Sequence, residues 1–232
     1  MKYKNIKEGI FLERQNRFIG FVKIDGQIER VHIPNTGRCK EILRKDARVL
    51  LEKSDLKTRK TKYSLVSAYK ENILINIDSQ APNKIVEEAI KSGKIFPQYK
   101  NSYRREVKFL NSRFDFAFYK EKDLCGFCEV KGVTLEEDGL AMFPDAPTLR
   151  GKKHLLELIE ARKRGLDANV LFLIQFKGAD SFKANGERDE AFAKTLKKAK
   201  EAGVKIHVYD SKVTFDQVEF SEKIKYEIWP MF

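Results

Sequence analysis

Two short segments of this chain carry the side chains that metal-dependent hydrolysis of a phosphodiester needs. They are Ser112-Arg113-Phe114-Asp115-Phe116 and, after one short turn, Glu129-Val130-Lys131. The pattern of each segment predicts a β-strand, and side chains alternate between the faces of a strand, so Glu129 and Lys131 share a face. Carboxylates suit Mg²⁺, which prefers oxygen ligands, and a lysine offsets the charge that develops on an attacked phosphate.

This arrangement is that of a PD-(D/E)xK nuclease centre. We predict that Asp115 and Glu129 bind Mg²⁺ or Mn²⁺ and that Lys131 lies beside the scissile phosphate. The pattern alone is weak, because surface salt bridges also produce it. It recurs in this chain at Asp55–Lys57, Glu106–Lys108 and Asp210–Lys212. Only the pair at 129 and 131 follows an aspartate on the preceding strand and comes just before a predicted crossover helix.

A proline-rich loop, residues 143–151, leads into that helix. Its two prolines fix the backbone, and Arg150 and His154, four residues apart, fall on one helical face. An arginine at a helix N-terminus suits a phosphate. We therefore predict that Asp145 and Arg150 lie near the active-site end of the sheet, with a phosphate site at Arg150 and His154 on the same helical face. Two other interpretations stay open here: Asp145 as a capping residue and His154 as a surface histidine.

The elements that must position these residues form two predicted domains in an α/β (α+β) fold. Residues 1–80 predict about five short strands with a hairpin at Asp25-Gly26, typical of a small closed barrel, OB-like or SH3-like. Residues 81–232 predict a mixed sheet with flanking helices, because strands and helices alternate from about residue 103. A helix near residues 84–91 is expected within a bridging segment, 81–102.

The net charge of +12 favours a polyanionic partner. The excess of Lys and Arg is concentrated in the predicted barrel, and its densest cluster is Lys57, Arg59, Lys60 and Lys62. A solvated loop would explain that cluster as well. No apolar run is long enough for a membrane span, and no signal peptide is recognisable, so we expect a cytoplasmic protein that does not bind membranes.

The chain resembles the sugar fermentation stimulation protein A (SfsA) family. The resemblance covers about residues 9–210, and its most specific strings are His32-Ile33-Pro34-Asn35-Thr36-Gly37-Arg38 and Phe143-Pro144-Asp145-Ala146-Pro147-Thr148 with Arg150-Gly151. The other matching pieces are Asn16-Arg17-Phe18, Asn76, Pro82-Asn83, Glu106, the two segments described first, Thr134-Leu135, His154, Asp189 and Phe192.

The resemblance implies an OB-like domain joined to a PD-(D/E)xK nuclease-like domain, with DNA binding and a link to sugar-utilisation genes. It adds Glu106 to the catalytic candidates Asp115, Glu129 and Lys131, and it implies that Asp145, Arg150 and His154 are supporting residues. Together with the charge pattern it suggests the nucleic-acid-binding candidates Arg17, Arg38, Lys57, Arg59, Lys60, Lys62 and Arg113. The departures are slight: Leu110-Asn111 precedes Ser112 where a glycine is common, and Cys39 replaces a larger apolar residue.

The leading hypothesis is a DNA-binding protein with a Mg²⁺-dependent phosphodiesterase centre. The alternative is a non-catalytic DNA-binding regulator of sugar-utilisation genes built on a nuclease scaffold. An RNA-directed or protein-binding module is a third interpretation, because OB-like barrels bind RNA as readily as DNA. The sequence leaves the oligomeric state open, with a homodimer among the alternatives.

Overall fold

The structure, a computed structural model, describes residues 1–35, 37–55 and 58–227. Lys57 of the predicted basic cluster lies outside these ranges. The first domain consists of six strands: β1 (Ile6–Asn16), β2 (Ile19–Ile24), β3 (Gln27–His32), β4 (Arg48–Lys53), β5 (Tyr63–Lys70) and β6 (Ile73–Asn76).

These strands form a closed barrel, which confirms the predicted architecture of the N-terminal domain. Their order is β3-β2-β1-β4-β5-β6, and a pairing between His32 on β3 and Ser64 on β5 closes the sheet. The β2–β3 hairpin turns at Asp25 and Gly26, with φ of 50° and 84°. Two residues in this left-handed region are what a type I′ turn requires.

The second domain begins with α1 (Ala81–Lys91) and a single 3-10 turn, Pro97–Tyr99. Its helices α2 (Leu149–Lys163) and α3 (Glu190–Glu201) follow later in the chain. Its strands are β7 (Tyr103–Phe109), β8 (Ser112–Lys120), β9 (Asp123–Val133), β10 (Leu135–Glu137), β11 (Leu140–Phe143), β12 (Asp167–Ile174), β13 (Ser181–Ala184), β14 (Lys205–Val213), β15 (Val218–Lys223) and β16 (Lys225–Glu227).

A mixed sheet in the order β15-β14-β12-β9-β8-β7 is the centre of this domain. Strands β9, β12 and β14 are parallel, and the outer pairs are antiparallel. Helix α1 packs on one face of the sheet, whereas α2 and α3 pack on the other. The predicted mixed sheet with flanking helices is confirmed, and the segment expected to bridge the domains supplies the helix on one of its faces.

Local signals define the two helices on the second face. The Thr148 hydroxyl caps α2 by accepting from Gly151 N at 2.9 Å, and the Asp189 carboxylate caps α3 by accepting from Phe192 N at 2.9 Å. Asp189 also accepts from Thr148 N at 2.8 Å, so a single carboxylate links the starts of both helices. The starting position of α2 therefore depends on α3.

The side chains of β8 do not alternate regularly between the two faces of the sheet. The sequence pattern places Phe114, Phe116 and Phe118 on one face. Phe116 and Phe118 do pack on the face covered by α1, but Phe114 packs on the opposite face, with its ring centroid 5.0 Å from that of Phe127. On the neighbouring strand, Glu106 has a φ of 54°. This left-handed residue interrupts the regular pleat of β7. Beside it, the side chains of β8 change from one face of the sheet to the other.

A second, smaller sheet was not predicted. It has the order β10-β11-β13-β16 and mixes antiparallel and parallel pairs. Its strands have only three or four residues, too few to show a period-two pattern in the sequence. This sheet carries the start of the proline-rich loop, because Phe143 ends β11.

A buried polar seam joins the barrel to the second domain. Asn76 N donates to Gln175 O at 2.8 Å, and Gln175 Nε2 donates back to Asn76 O and Oδ1 at 3.0 and 2.9 Å. Lys70, on the barrel, forms an ion pair with Glu136 at 2.5 Å. These contacts hold the two domains in one relative position. No helix among the described residues is long and apolar enough to cross a membrane.

We expect Asn76→Ala to lower the free energy of unfolding by about 3 kcal/mol. Asn76 is fully buried, and its Nδ2 donates to Tyr3 Oη, Val66 O and Ser67 Oγ, so truncation leaves several buried partners unpaired. Urea unfolding measures the change. Asn111→Ala, at an exposed turn, is the control and should shift stability by less than about 0.5 kcal/mol. Equal effects of the two variants would contradict the importance of the seam.

A second prediction concerns acid stability. Burial, and then Lys223 and Lys205, lower the pKa of His207 to about 4. The unfolded histidine has its ordinary pKa near 6.5, so the unfolded chain binds the proton more readily. The stabilising effect of neutral His207 is therefore complete above about pH 6.5 and declines as the pH falls toward 4.

We expect the wild type to lose on the order of 2 kcal/mol more stability than His207→Gln between pH 7 and pH 5. Glutamine can still donate to Asn169 Oδ1, the atom that lies 3.0 Å from His207 Nε2. Urea unfolding of both proteins at each pH measures the difference. Parallel pH profiles would contradict the prediction.

Candidate metal-dependent active site

Three acidic residues lie on adjacent strands of the central sheet. In the β7–β8 pair Arg105 faces Phe116 and Val107 faces Phe114, so Glu106 lies across from Asp115, and in the β8–β9 pair Phe116 faces Cys128, the residue before Glu129. Glu106 is exposed and has no hydrogen-bond or ion-pair partner within the described ranges. Asp115 is half-buried and Glu129 is 3% exposed, so burial increases from Glu106 to Glu129.

Glu129 is a buried carboxylate held between two nitrogen donors. Lys131 Nζ lies 2.5 Å from its Oε1, and His154 Nδ1 contacts the same oxygen. Burial raises the pKa of Glu129, but Lys131 and His154 more than offset this effect and leave the pKa below its ordinary value. Oε2 of Glu129 is buried and has no hydrogen-bond partner among the described residues. Glu129 is thus an ionised carboxylate with one oxygen free to bind a ligand.

The Asp115 carboxylate accepts a hydrogen bond from the backbone of β9, as a backbone carbonyl of β8 would in a regular strand pair. Its Oδ2 accepts from Val130 N at 2.7 Å, and its Oδ1 accepts from Asn83 Nδ2 at 2.7 Å. Burial, and then the nearby Glu129 carboxylate, raise the pKa of Asp115 to about 6. A carboxylate whose pKa is raised by a neighbouring carboxylate would be stabilised in its ionised form by a cation placed between the two.

Helix α2 positions a histidine and an arginine beside Glu129. His154 is 4% exposed, which rules out the surface interpretation of this residue. Arg150 Nε donates to His154 Nε2 at 3.4 Å, the long end of hydrogen bonding. Because an arginine N–H can only donate, Nε2 is the accepting nitrogen and the imidazole proton lies on Nδ1, directed at Glu129. His154 therefore acts on Glu129 as a donor.

A basic pocket lies beside this pair. Its volume is about 440 Å³, and it lies between the β7–β8 turn and the start of α2. Arg113, Arg150, Lys153 and His154 line it, together with Ser112, whose buried Oγ has no partner. Lys153 was missed in the sequence, where nothing distinguishes it from the other surface lysines. The combination of cations, a hydroxyl and a helix N-terminus suits a phosphate.

The other predicted residues are spread over the molecule. Arg59, Lys60 and Lys62 line one open pocket on the barrel. Arg59 donates to Ser64 Oγ and Lys62 pairs with Glu29, so part of this cluster is engaged within the barrel itself. The remaining candidates lie elsewhere: Arg17 and Arg38 are exposed on barrel loops, and Asp145 lies in a cavity between the domains.

Arg14 is a functional candidate that the sequence analysis missed. Its guanidinium donates to five backbone carbonyls, those of Asn16, Arg17, Asn35, Gly37 and Arg38. These bonds fix the loop after β3, which carries Asn35 and Gly37 toward the second domain. Among 46 Lys and Arg residues, no sequence signal distinguishes an arginine that binds its own backbone.

The donor set fits a hard divalent cation. No group of three or more His, Cys, Asp and Glu side chains in the described part of the chain is placed to hold a metal ion. Asp115 and Glu129 offer two carboxylates, and the free Glu129 Oε2 is an acceptor without a proton donor. Mg²⁺ is commonly bound through one or two carboxylates and completes its shell with water and phosphate oxygens.

Comparison with known proteins covers nearly the whole chain. The family model described as the SfsA N-terminal OB domain matches residues 12–77, and the one described as the sugar fermentation stimulation protein RE domain matches residues 80–217. The chain belongs to the sugar fermentation stimulation protein family. The resemblance predicted from the sequence motifs is therefore confirmed, and so is the OB-like assignment of the barrel.

Relatives of this family match the chain over nearly its whole length, and one solved structure is similar to it. The sugar fermentation stimulation protein homologue of Clostridium kluyveri is 50% identical over 97% of this chain and 99% of its own length. That of Clostridium perfringens strain 13 is 49% identical, with the same coverage. The structure of Pyrococcus furiosus SfsA in complex with Ca²⁺ is similar to this one, with a TM-score of 0.87, 29% identity and 98% of each chain covered.

We expect His154→Ala to destabilise the protein by about 3 kcal/mol, because it leaves the buried Glu129 carboxylate with one donor fewer. Urea unfolding at neutral pH measures the loss. His32→Ala is a matched control on the barrel, since His32 is half-buried and its Nδ1 has no partner. The control should cost about 1 kcal/mol or less. A smaller loss at His154 than at His32 would contradict the role assigned to the imidazole.

Proposed function

We propose that this protein binds DNA and hydrolyses its phosphodiester bonds with Mg²⁺ or Mn²⁺ at the site formed by Asp115, Glu129 and Lys131. The observation that carries the proposal is the state of Glu129. Burying an ionised carboxylate is costly, and two donors on one oxygen offset that cost, while the other oxygen has no donor among the described residues. A purely structural ion pair would be expected to satisfy both oxygens.

The residues of the chain would have separate roles in this reaction. Asp115 and Glu129 would bind the cation, which when bound polarises a phosphoryl oxygen and lowers the pKa of a coordinated water. Lys131, held in place by Glu129, would offset negative charge as it builds on the phosphate. His154 would keep Glu129 oriented, as an outer-shell donor does in other metal sites. The Ca²⁺ in the complex of the related Pyrococcus furiosus protein supports a divalent cation here.

The surfaces around the site would hold the nucleic acid. The basic pocket with Arg113, Arg150 and Lys153 adjoins Glu129 through His154, so a phosphate bound there would lie next to the reacting one. The barrel would add contacts through Arg59, Lys60 and other exposed cations. Binding of this kind releases counterions and therefore weakens steeply with salt.

We expect Asp115→Ala and Glu129→Gln to reduce cleavage to background, with DNA affinity within about threefold of wild type because phosphate contacts dominate binding. Labelled single- and double-stranded DNA and RNA, incubated with Mg²⁺ or Mn²⁺, provide the assay. Asp123→Ala, which removes an exposed carboxylate at the start of β9, is the matched control and should cleave as the wild type does.

Cleavage retained in both site variants would refute the assignment of the centre. Salt-sensitive DNA binding without cleavage of any substrate would favour the non-catalytic DNA-binding alternative. Preferred binding or cleavage of RNA would move the substrate assignment from DNA to RNA. Affinity that does not fall with salt would contradict nucleic-acid binding through phosphates.

A further inference from the structure

A cavity between the barrel and the second domain is used by none of the steps above. Its volume is about 310 Å³, in the range of small-molecule sites. On the side of the second domain, Gly132 and Gln175 place it at the C-terminal ends of the parallel strands β9 and β12, the edge at which α/β sheets commonly bind ligands. Gly132 directly follows Lys131, so a molecule in the cavity would lie beside the proposed reaction centre.

Several hydrogen-bond donors around this cavity are already engaged with the protein. Gln175 Nε2 donates to Asn76 and to Asp78 O, and Gln175 Oε1, next to Gly132, accepts no hydrogen bond from a described residue. Asn35 Nδ2 donates to Ile77 O at 2.8 Å, and Ser79 Oγ donates to Pro34 O at 2.7 Å. Gln175 Oε1 therefore remains as an acceptor for a ligand, and Thr134 and Thr148 add hydroxyl groups to the lining.

Asp145 is the one charged residue among the described residues that line the cavity. It is half-buried, and its carboxylate has no hydrogen bond or ion pair to any described residue. A Cβ on Gly37 would lie 2.8 Å from its Oδ2, so the absence of a side chain at 37 makes room for the carboxylate. Arg188 Nη1 donates to the backbone O of Asp145 at 3.3 Å, and a carboxylate whose own oxygens accept no such bond favours a ligand with N–H groups.

Apolar residues form part of the remaining wall. Phe143, Pro144 and Pro147 line it, and the Phe143 ring contacts those of Phe172 and Phe192 at centroid distances of 5.6 and 5.2 Å. On the opposite side, Arg14 binds the carbonyls of Asn35 and Gly37. An apolar wall beside a carboxylate suits the face and the polar edge of a planar heterocycle.

We propose that this cavity binds one unpaired guanine of the nucleic-acid substrate, whose N1–H and N2 amino group both donate to the Asp145 carboxylate. Among the common bases, only guanine presents two adjacent donors on its Watson–Crick edge, which match the two oxygens of a carboxylate. Recognition of this edge requires a single strand or an extruded base. The inference rests on the proposed binding of nucleic acid and adds a base preference to it.

The test measures affinity without cleavage. Fluorescence anisotropy in EDTA compares short oligothymidylates that carry a central guanine, a central inosine or no substitution. We expect the wild type to bind the guanine oligonucleotide about tenfold more tightly than the unsubstituted one, in the range of a bidentate base contact. Inosine lacks the N2 amino group and should lose most of this advantage.

Asp145→Asn should remove the guanine preference, because an amide offers one acceptor in place of two. Asp123→Asn changes the net charge by the same amount at an exposed position, and this variant should keep the guanine preference. Gly37→Ala is a second variant that should weaken guanine selection by displacing the carboxylate. Thermal melting checks that each variant folds, and the guanine–inosine comparison in the wild type tests the proposal without any variant.

Equal wild-type affinity for the three oligonucleotides would overturn the proposal, as would a guanine preference that survives in Asp145→Asn. Loss of Mg²⁺ binding in Asp145→Asn, titrated with the metal alone, would also overturn it by assigning Asp145 to the metal. These outcomes distinguish a failure of the cavity assignment from a failure of the proposed cleavage activity. Guanine preference without cleavage leaves the cavity assignment standing, whereas cleavage without guanine preference refutes only the cavity assignment.

Discussion

The candidate site depends on one buried interaction, the contact of Lys131 and His154 with a single oxygen of Glu129. Without these donors the carboxylate would be neutral or displaced toward solvent, because burial strongly disfavours its charge. Each donor comes from a different element, one from β9 itself and the other from α2. The position of α2 on the sheet therefore controls the charge of the residue that would bind the cation.

The geometry of β7 and β8 also positions residues of the candidate site. A regular strand would place Phe114 on the face of Phe116, but the left-handed Glu106 interrupts the pleat beside Asp115. Phe114 then packs against Phe127 and meets the His154 ring at a centroid distance of 5.9 Å. The irregularity brings an aromatic ring against the imidazole and leaves the Asp115 carboxylate to accept from the neighbouring strand. The interruption thus lies where the proposed chemistry occurs.

The second constraint is the polar seam between the domains. Buried amides such as those of Asn76 and Gln175 bond only in defined directions, so they fix the orientation of the barrel more narrowly than apolar packing would. That orientation brings the loop held by Arg14 opposite the proline-rich loop of the second domain. The cavity between them, with the unpaired Asp145, exists only because both domains contribute a wall.

The sequence predicts the closed barrel, the strands β8 and β9, the crossover helix α2 and a mixed sheet with flanking helices, because hydrophobic periods, caps and turn residues are local signals. It also singled out Asp115, Glu129 and Lys131, since a strand's period of two puts 129 and 131 on one face. The three- and four-residue strands of the small sheet, the reversal at Phe114, the backbone contacts of Arg14 and the burial of His154 were decided only by the tertiary structure. Each depends on residues distant in the sequence, and short-range patterns do not record which distant groups share a hydrogen bond or exclude water from one another.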